Sequence, residues 1–413
     1  MRYLLLSQYF WPDLSGAAQM MSDLAEDLAA RGAQVRVVTG RCSYAGQGAL
    51  VAAERWRGVA IERVASTCFG RERLIGRGLD FASFLAAATV RVLAGPEVDL
   101  IVTVSTPPFL PLVGLLQKRL AGTRFVYWVQ DLYPEIAVKL GVLPAEGVAT
   151  RMLEALSRAT LRGADAVVAI GDCMAERIAA KGFGCQQVEV VHNWADGEAI
   201  VSVPRADNWF LDRHALRDQF VVLYSGNLGR GHAFETLLGA ARALRSRDDI
   251  AFVFIGMGPR LAEAKRASRG FANVRFLPYQ QREDLAWSLG AADLAAITLR
   301  DDVCGLMVPS KLYGHLASAR PILFIGPRSS TVARVIEAAR CGAVFSHGDI
   351  DGVREFIEAL AKDRARAAEL GTAARRAFEE RYGRSTATGR LAQICEAAVH
   401  RSSEARASDQ RGV

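Results

Sequence analysis

A short β-branched or apolar run, then a turn rich in glycine, proline or serine, then a segment with helical spacing recurs along this chain, which is the signature of βαβ crossovers and parallel sheets. In the first half the runs are Tyr3–Leu6, Gln34–Val38, Ala60–Val64, Leu100–Val104, Phe125–Val129, Ala166–Ala169 and Val188–Val191. In the second half they are Val221–Tyr224, Ala251–Ile255, Val274–Leu277, Leu294–Ile297 and Ile322–Ile325, with an edge strand near Ala343–Phe345. Between the halves, His192 to Arg213 carries turn formers and aromatic residues without a period. The chain has 413 residues, 51 % of them hydrophobic, and one core serves only about 250–300 residues. Two α/β domains are therefore expected: residues 1–192 and 214–384, joined by a linker at 193–213. A C-terminal helix at 385–400 is expected to return toward the first domain, followed by a polar tail at 401–413.

Composition removes several classes of function. The net charge of +7 is spread thinly, with 20 basic and 20 acidic residues up to Ile200 and 31 and 24 beyond it. No dense basic stripe with interleaved aromatics appears, which argues against nucleic acid as a partner. Seven cysteines (Cys42, Cys68, Cys173, Cys185, Cys304, Cys341 and Cys395) stand singly, without metal-ligand spacing, and read as reduced core thiols of a cytoplasmic protein. The apolar start Tyr3–Leu6 is interrupted by Gln8 and Asp13 and reads as a buried strand. The stretches from Phe84 to Val90 and from Ile101 to Leu116 are too short, or too proline-rich, to span a bilayer. No metal site and no cofactor are expected.

Glycine turns mark candidate ligand edges. Gly16, between the first strand and the first helix, stands where a helix N-terminus presents free N–H groups to an anion, though an ordinary tight turn explains it equally well. In the second half Tyr224 leads into Gly226, Asn227, Gly229 and Arg230, just before a helix carrying Leu237, Leu238, Ala241 and Leu244 on one face. Arg230 offers a forked, charge-assisted contact to a diphosphate, against the alternative of a surface ion pair. Gly256 and Gly258 repeat the strand–glycine–helix arrangement without the third glycine of a dinucleotide fingerprint. No acidic residue fills the ribose position of a nicotinamide site, which disfavours a dehydrogenase. Pro309 and Ser310 suit a helix start with Ser310 as cap, placing Lys311 in the first turn. A cation there opposes the helix dipole unless an anion lies between them. In the first half, Gln130 and Asp131 follow the strand Phe125–Val129, where Asp131 either orients an acceptor hydroxyl or caps the next turn. Glu135 reads as structural, and His192 and Asn193 as hinge residues.

In YSGNLGRGHAFETLL, VPSKLYGHLASARPI, YWVQDLYPE and VVHNWAD the chain resembles glycosyltransferase family 4, particularly its WbuB-like bacterial members that build surface polysaccharides, over nearly its whole length. The resemblance implies the GT-B fold, two facing Rossmann-like domains with parallel sheets and a cleft between them. It implies a nucleotide-sugar donor held mainly by the C-terminal domain, an acceptor on the N-terminal domain, retention of anomeric configuration and no catalytic metal. Gly16 matches the family's phosphate-contacting turn, and Arg230 and Lys311 match the groups facing the donor diphosphate. One departure stands out. Many family members carry two glutamates seven residues apart where this chain has Leu306 and Gly314, and the usual Arg and Lys of the glycine loop are Asn227 and His232.

These readings converge on a retaining glycosyltransferase with catalytic residues Arg230, Lys311 and Asp131. Gly16, Gly226, Asn227, Gly229, Arg230, Gly256, Gly258, Tyr279, Ser310 and Lys311 are assigned to the donor, and Gln130 and Asp131 to the acceptor. The donor is expected to be a UDP-sugar, with an N-acetylated hexose as the working expectation. The acceptor is expected to be a lipid-linked saccharide, met on the inner face of the cytoplasmic membrane. Weak membrane surface contact is expected through Arg55, Arg57, Arg63, Arg71, Arg73 and Arg77, interleaved with Phe69, Leu74 and Ile75. The competing readings are a catalytically weak scaffold of the same fold and a sugar-nucleotide epimerase.

Overall fold

The computed structural model describes residues 1–13, 15–43, 49–70, 74–182 and 188–409, with side chains described except at 74 and 402–409. The chain divides into two compact units, Met1–His192 with Ser385–Val413, and Asn193–Arg384.

The first unit is built on eight strands: β1 (Arg2–Leu6), β2 (Gln34–Gly40), β3 (Ala53–Trp56), β4 (Val59–Val64), β5 (Leu100–Val104), β6 (Arg124–Val129), β7 (Ala166–Ala169) and β8 (Val188–Val190). Their order is β3-β4-β2-β1-β5-β6-β7-β8, and every pair is parallel except β3 with β4. The second unit holds six: β9 (Phe220–Ser225), β10 (Ile250–Ile255), β11 (Val274–Leu277), β12 (Leu294–Thr298), β13 (Ile322–Ile325) and β14 (Gly342–Phe345). Their order is β11-β10-β9-β12-β13-β14, all parallel. The central strands β5, β9, β10 and β12 are buried at every position. Helices on both faces of a parallel sheet impose this, which is why the sequence shows continuous apolar runs rather than alternation. Fully buried Phe, Leu and Ile side chains contribute about 1.5–3 kcal/mol each.

In each sheet the crossovers diverge from one pair of neighbours, β1 with β5 and β9 with β12. Such a switch point opens a crevice at the carboxyl edge, where ligands bind in doubly wound sheets.

Residues 193–213, expected as a linker from their lack of period, are part of the second unit. Phe210 and Leu211 are fully buried, and Arg205 donates to the carbonyls of Leu216 and Gln219 while pairing with Asp293 at 2.8 Å. The terminal helix spans Arg384–Asp409, running past His400, and docks on the first unit: Thr388 donates to the Asp27 carboxylate at 2.7 Å and Arg390 pairs with Glu189 at 2.8 Å.

One chemical reading is corrected. Cys42 and Cys68 form a disulfide, so the cysteines are not all reduced thiols. The reason is topological: β2 and β4 are parallel neighbours, so the segments leaving their carboxyl ends bring Cys42 and Cys68 to a Cα separation of 5.9 Å. Cys173, Cys304, Cys341 and Cys395 are buried free thiols, and Cys185 lies outside the described residues.

Candidate active site

At the β9–β12 switch point the second unit assembles a cation with two buried partners. Lys311 opens the helix Lys311–Ala317, and its Nζ donates to the Tyr224 hydroxyl at 2.7 Å and lies 4.3 Å from the centre of that ring. The Tyr224 hydroxyl in turn donates to the Asn227 carbonyl at 2.9 Å. His232 completes the arrangement. Its Nδ1 is 2.5 Å from the Thr298 carbonyl, and a carbonyl only accepts, so the proton sits on Nδ1. Nε2 is therefore a lone pair, placed 3.2 Å from Lys311 Nζ as an acceptor. Burial pushes the Lys311 pKa down to about 7. Burial and the neighbouring Lys311 charge hold His232 well below the usual imidazole range, consistent with a neutral ring. Tyr224 is the penultimate residue of β9, Thr298 ends its neighbour β12, and Lys311 follows the loop after β12; no local motif links the three.

Gly226 has φ +124°, and a Cβ on it would stand 3.3 Å from Lys311 Cε, so the glycine keeps bare backbone beside the ammonium. Gly256 and Gly258 let two loops close on each other. A Cβ on Gly256 would lie 2.1 Å from the Gly226 carbonyl oxygen, and one on Gly258 would lie 2.5 Å from that of Leu228. The loops are also joined by Gly226 N–H to Ile255 carbonyl at 2.9 Å and Leu228 N–H to Met257 carbonyl at 2.8 Å. Asn227 is exposed and Gly229 buried; Tyr279, just beyond β11, is exposed at the same sheet edge.

Two local expectations fail. Ser310 has helical backbone angles and makes no side-chain cap, so the helix start after Pro309 is uncapped there. Arg230 does not precede its helix directly, because the helix begins only at Glu235 and its first turn carries Glu235, paired with Arg260. Arg230 is exposed in the intervening turn, and its carbonyl accepts from Arg300 at 3.1 Å. Of the two positions where glutamates are usual, Leu306 is buried, and Gly314 is half-buried, where a Cβ would meet Leu289 Cδ1 at 3.3 Å.

The first unit gathers a second polar group at its carboxyl edge. Ser105, after β5, accepts from the backbone N–H groups of Gln130 and Asp131 at 3.0 and 2.8 Å and so fixes the loop after β6. Burial raises the Asp131 pKa to about 6, opposed by the charge of Arg77. Asp131 caps no helix, since the next one, Glu135–Lys139, starts at Pro134 without a side-chain cap. Glu135 is ion-paired with Lys181, in keeping with a structural role. His192 is half-buried after β8; burial lowers its pKa and the nearby Asp172 opposes this. Gly16 begins the helix Gly16–Ala30, exposed, with the Ser15 hydroxyl accepting from Ala18 N–H at 3.3 Å as cap.

The basic segment expected at a membrane surface is partly spoken for. Arg63 is buried, ion-paired with Glu54 and donating to the Trp11 carbonyl at 2.8 Å. Arg57 pairs with Glu26, and Arg55 is exposed. Arg77 stacks over Phe81 at 5.1 Å; Arg71 and Arg73, and the side chain of Leu74, lie outside the described residues. Among the described residues no helix is long and apolar enough to cross a membrane, and no group of three His, Cys, Asp or Glu side chains is arranged to hold a metal ion.

Comparison with known proteins bears on the family and the fold. A family model described as "Glycosyl transferase 4-like domain" matches residues 15–194, and one described as "Glycosyl transferases group 1" matches residues 219–363. WbjE of Pseudomonas aeruginosa, named as a glycosyltransferase, is 29 % identical over 278 residues, covering 66 % of this chain and 68 % of that protein. WcaI of Escherichia coli (strain K12), named as a colanic acid biosynthesis glycosyl transferase, is 26 % identical over 337 residues, covering 77 % and 81 %. Among solved structures, Anabaena HepE in complex with UDP-glucose superposes with a TM-score of 0.72 at 16 % identity, over 96 % of this chain and 100 % of that one. At that identity the likeness speaks for the fold alone.

Proposed function

From a chain that belongs to glycosyltransferase family 4, has the GT-B pair of α/β domains and acts in bacterial polysaccharide biosynthesis, we propose a specific reaction: transfer of a sugar, with retained configuration and without a catalytic metal, from a UDP-linked donor to a lipid-linked saccharide. The observation that carries this reading is the Lys311 ammonium at the β9–β12 switch point, held by Tyr224 and His232 beside the bare backbone of Gly226. A half-buried cation whose hydrogen-bond partners are neutral is suited to an anion. As the bond from the anomeric carbon to the phosphate oxygen breaks, negative charge grows on the diphosphate, and Lys311 with the loop N–H groups stabilises it. The acceptor oxygen then attacks from the face the diphosphate is leaving, and its proton passes to the departing phosphate oxygen. Arg230 gives an outer contact to the same diphosphate. Gly16 is assigned to the donor, and Asp131 with Gln130 to the acceptor hydroxyl. UDP rests on the resemblance to the family; HepE, a protein of the same fold, binds UDP-glucose.

Leu306 and Gly314, standing where glutamates are usual, favour one alternative, a scaffold that has lost catalysis. Calorimetry with UDP, GDP and ADP separates the readings. The transferase binds UDP most tightly and turns over a UDP-sugar only with an acceptor. A scaffold binds none of the three, an epimerase converts the nucleotide sugar alone, and tighter GDP binding overturns the base assignment.

A further inference from the structure

Past the last rung of the parallel ladder between β2 and β4, Gly40 beside Val64, the two segments leaving the carboxyl edge of the first unit run on together. The Arg41 N–H donates to the Val64 carbonyl at 3.2 Å, and the disulfide between Cys42 and Cys68 follows. Each segment is anchored to a different neighbour. Ser43, adjoining Cys42, donates to the buried Asp13 carboxylate at 2.9 Å, in the loop that leads into Gly16. Beside Cys68, the Thr67 N–H donates to the Ser83 hydroxyl, and the N–H groups of Phe69 and Gly70 donate to the Asp80 carboxylate, all at 3.0 Å. Ser83 and Asp80 both belong to the helix Leu74–Leu93. The disulfide therefore closes a chain of contacts from the loop after β1 to that helix.

Access sets this pair apart from the other described cysteines. Cys173, Cys304, Cys341 and Cys395 are buried free thiols, out of reach of a reagent in solution. Cys68 is exposed and Cys42 half-buried. Exchange requires an incoming thiolate to reach one sulfur of the bond, and an enclosed disulfide resists it, whereas this one presents Cys68 Sγ to solvent. The bond joins positions 26 residues apart, so opening it returns conformational freedom to the chain between them.

We infer that Cys42–Cys68 is a reversible thiol–disulfide site, opened by a glutathione-type thiol and closed by the corresponding disulfide, and that its state governs how firmly the loop before Gly16 is held. In the opening direction a glutathione thiolate attacks Cys68 Sγ. The bond between the cysteines breaks and its electron pair leaves on Cys42, which takes a proton from water. A second glutathione thiolate attacks the glutathione sulfur of the mixed disulfide and releases Cys68, which is protonated in turn. Two glutathiones are thus oxidised to one glutathione disulfide while the protein gains two thiols, and closing is the reverse. Once the bond is open, the Ser43–Asp13 hydrogen bond loses its covalent brace, and the segments 41–43 and 65–70 open independently of each other. Gly16 is assigned to the donor in the reaction proposed above, so a weaker donor affinity of the reduced protein rests on that reading; the exchange chemistry and the loosening do not.

The test places the full chain, purified without reductant, in mixtures of reduced and oxidised glutathione. N-ethylmaleimide labelling with peptide mapping follows Cys42 and Cys68, and hydrogen exchange compares the two end states. Both cysteines should gain label together, at one midpoint, as reduced glutathione rises, and lose it when glutathione disulfide is restored. Reduction should speed exchange about tenfold or more in residues 9–13, 41–43 and 65–70 while leaving β5 and β6 unchanged, and should lower the melting temperature by about 5 °C. Cys42→Ser and Cys68→Ser should each match the reduced protein and no longer respond to glutathione. Labelling of both cysteines before any reductant is added, a disulfide that survives excess reduced glutathione, or equal exchange in the two states overturns the proposal. Failure of the transfer reading shows differently, as absent turnover in both redox states with labelling and exchange as expected.

Discussion

Replacing Lys311 by methionine should stabilise the protein and destroy its donor site at once. In the free protein, burial depresses the Lys311 pKa from 10.5 to about 7. A base whose folded pKa lies below its unfolded value binds fewer protons when folded. Its cost is therefore full below about pH 7 and is relieved as pH rises from about 7 toward 10.5. That depression corresponds to an upper bound of about 5 kcal/mol, which Lys311→Met recovers in part below pH 7. A nucleotide sugar reverses the situation, because its diphosphate favours the charged lysine and returns the pKa toward its ordinary value. Binding then takes up close to one proton at about pH 8, and affinity falls roughly fiftyfold between about pH 7 and pH 9. The assay is calorimetric titration with a UDP-sugar, whose diphosphate does not itself titrate in this range, in buffers of different ionisation enthalpy, beside thermal melts of both proteins. Affinity independent of pH with no proton uptake, or a Lys311→Met protein that binds the donor as the parent does, would refute the reasoning.

Three further substitutions test other parts of the account. Gly256→Ala puts a Cβ 2.1 Å from the Gly226 carbonyl oxygen at φ +137°, and should cost at least about 3 kcal/mol in urea denaturation; an unchanged midpoint would show that the two loops are not packed this way. Asp131, with its pKa raised to about 6, weakens the fold as pH rises through that value, by up to about 3 kcal/mol. Asp131→Asn should flatten stability between about pH 4 and pH 7 while cutting turnover on the order of a hundredfold, and a variant with parental turnover removes Asp131 from the acceptor site. His315 is fully buried with neither ring nitrogen hydrogen-bonded, and burial holds its pKa at about 3. His315→Leu should raise stability by about 1 kcal/mol in thermal melts, whereas a clear loss would mean that the ring is held in a way its neighbours do not suggest.

Most strands were legible because a parallel sheet covered on both faces demands unbroken apolar runs, as in Phe220–Ser225 and Ile250–Ile255. β3 was missed because Ala53-Glu54-Arg55-Trp56 is short and polar, yet its turn carried a signal. Arg57 and Gly58 adopt φ +46° and +84°, the two-residue primed turn that joins antiparallel strands. The position of Lys311 was readable from Pro309 and Ser310, but its partners were not. Tyr224 and His232 lie 87 and 79 residues away and reach it only because β9 and β12 are neighbours in the sheet. The Cys42–Cys68 disulfide was hidden likewise, since its sequence separation of 26 says nothing until β2 and β4 are known to pair. The packing role of Gly256 and Gly258 was hidden as well, because their missing side chains serve a contact between two loops that only the sheet brings together.

The central claim is transfer with retained configuration and departure of a nucleoside diphosphate, and nuclear magnetic resonance of the product measures it most directly. The chain would be incubated with a UDP-sugar and a lipid-linked saccharide in the presence of a chelator, and the coupling constant at the new anomeric centre read. The account predicts a glycoside with the donor's anomeric configuration and one UDP released for each bond formed. An inverted product, transfer only after divalent metal is restored, or consumption of the donor without an acceptor would contradict it.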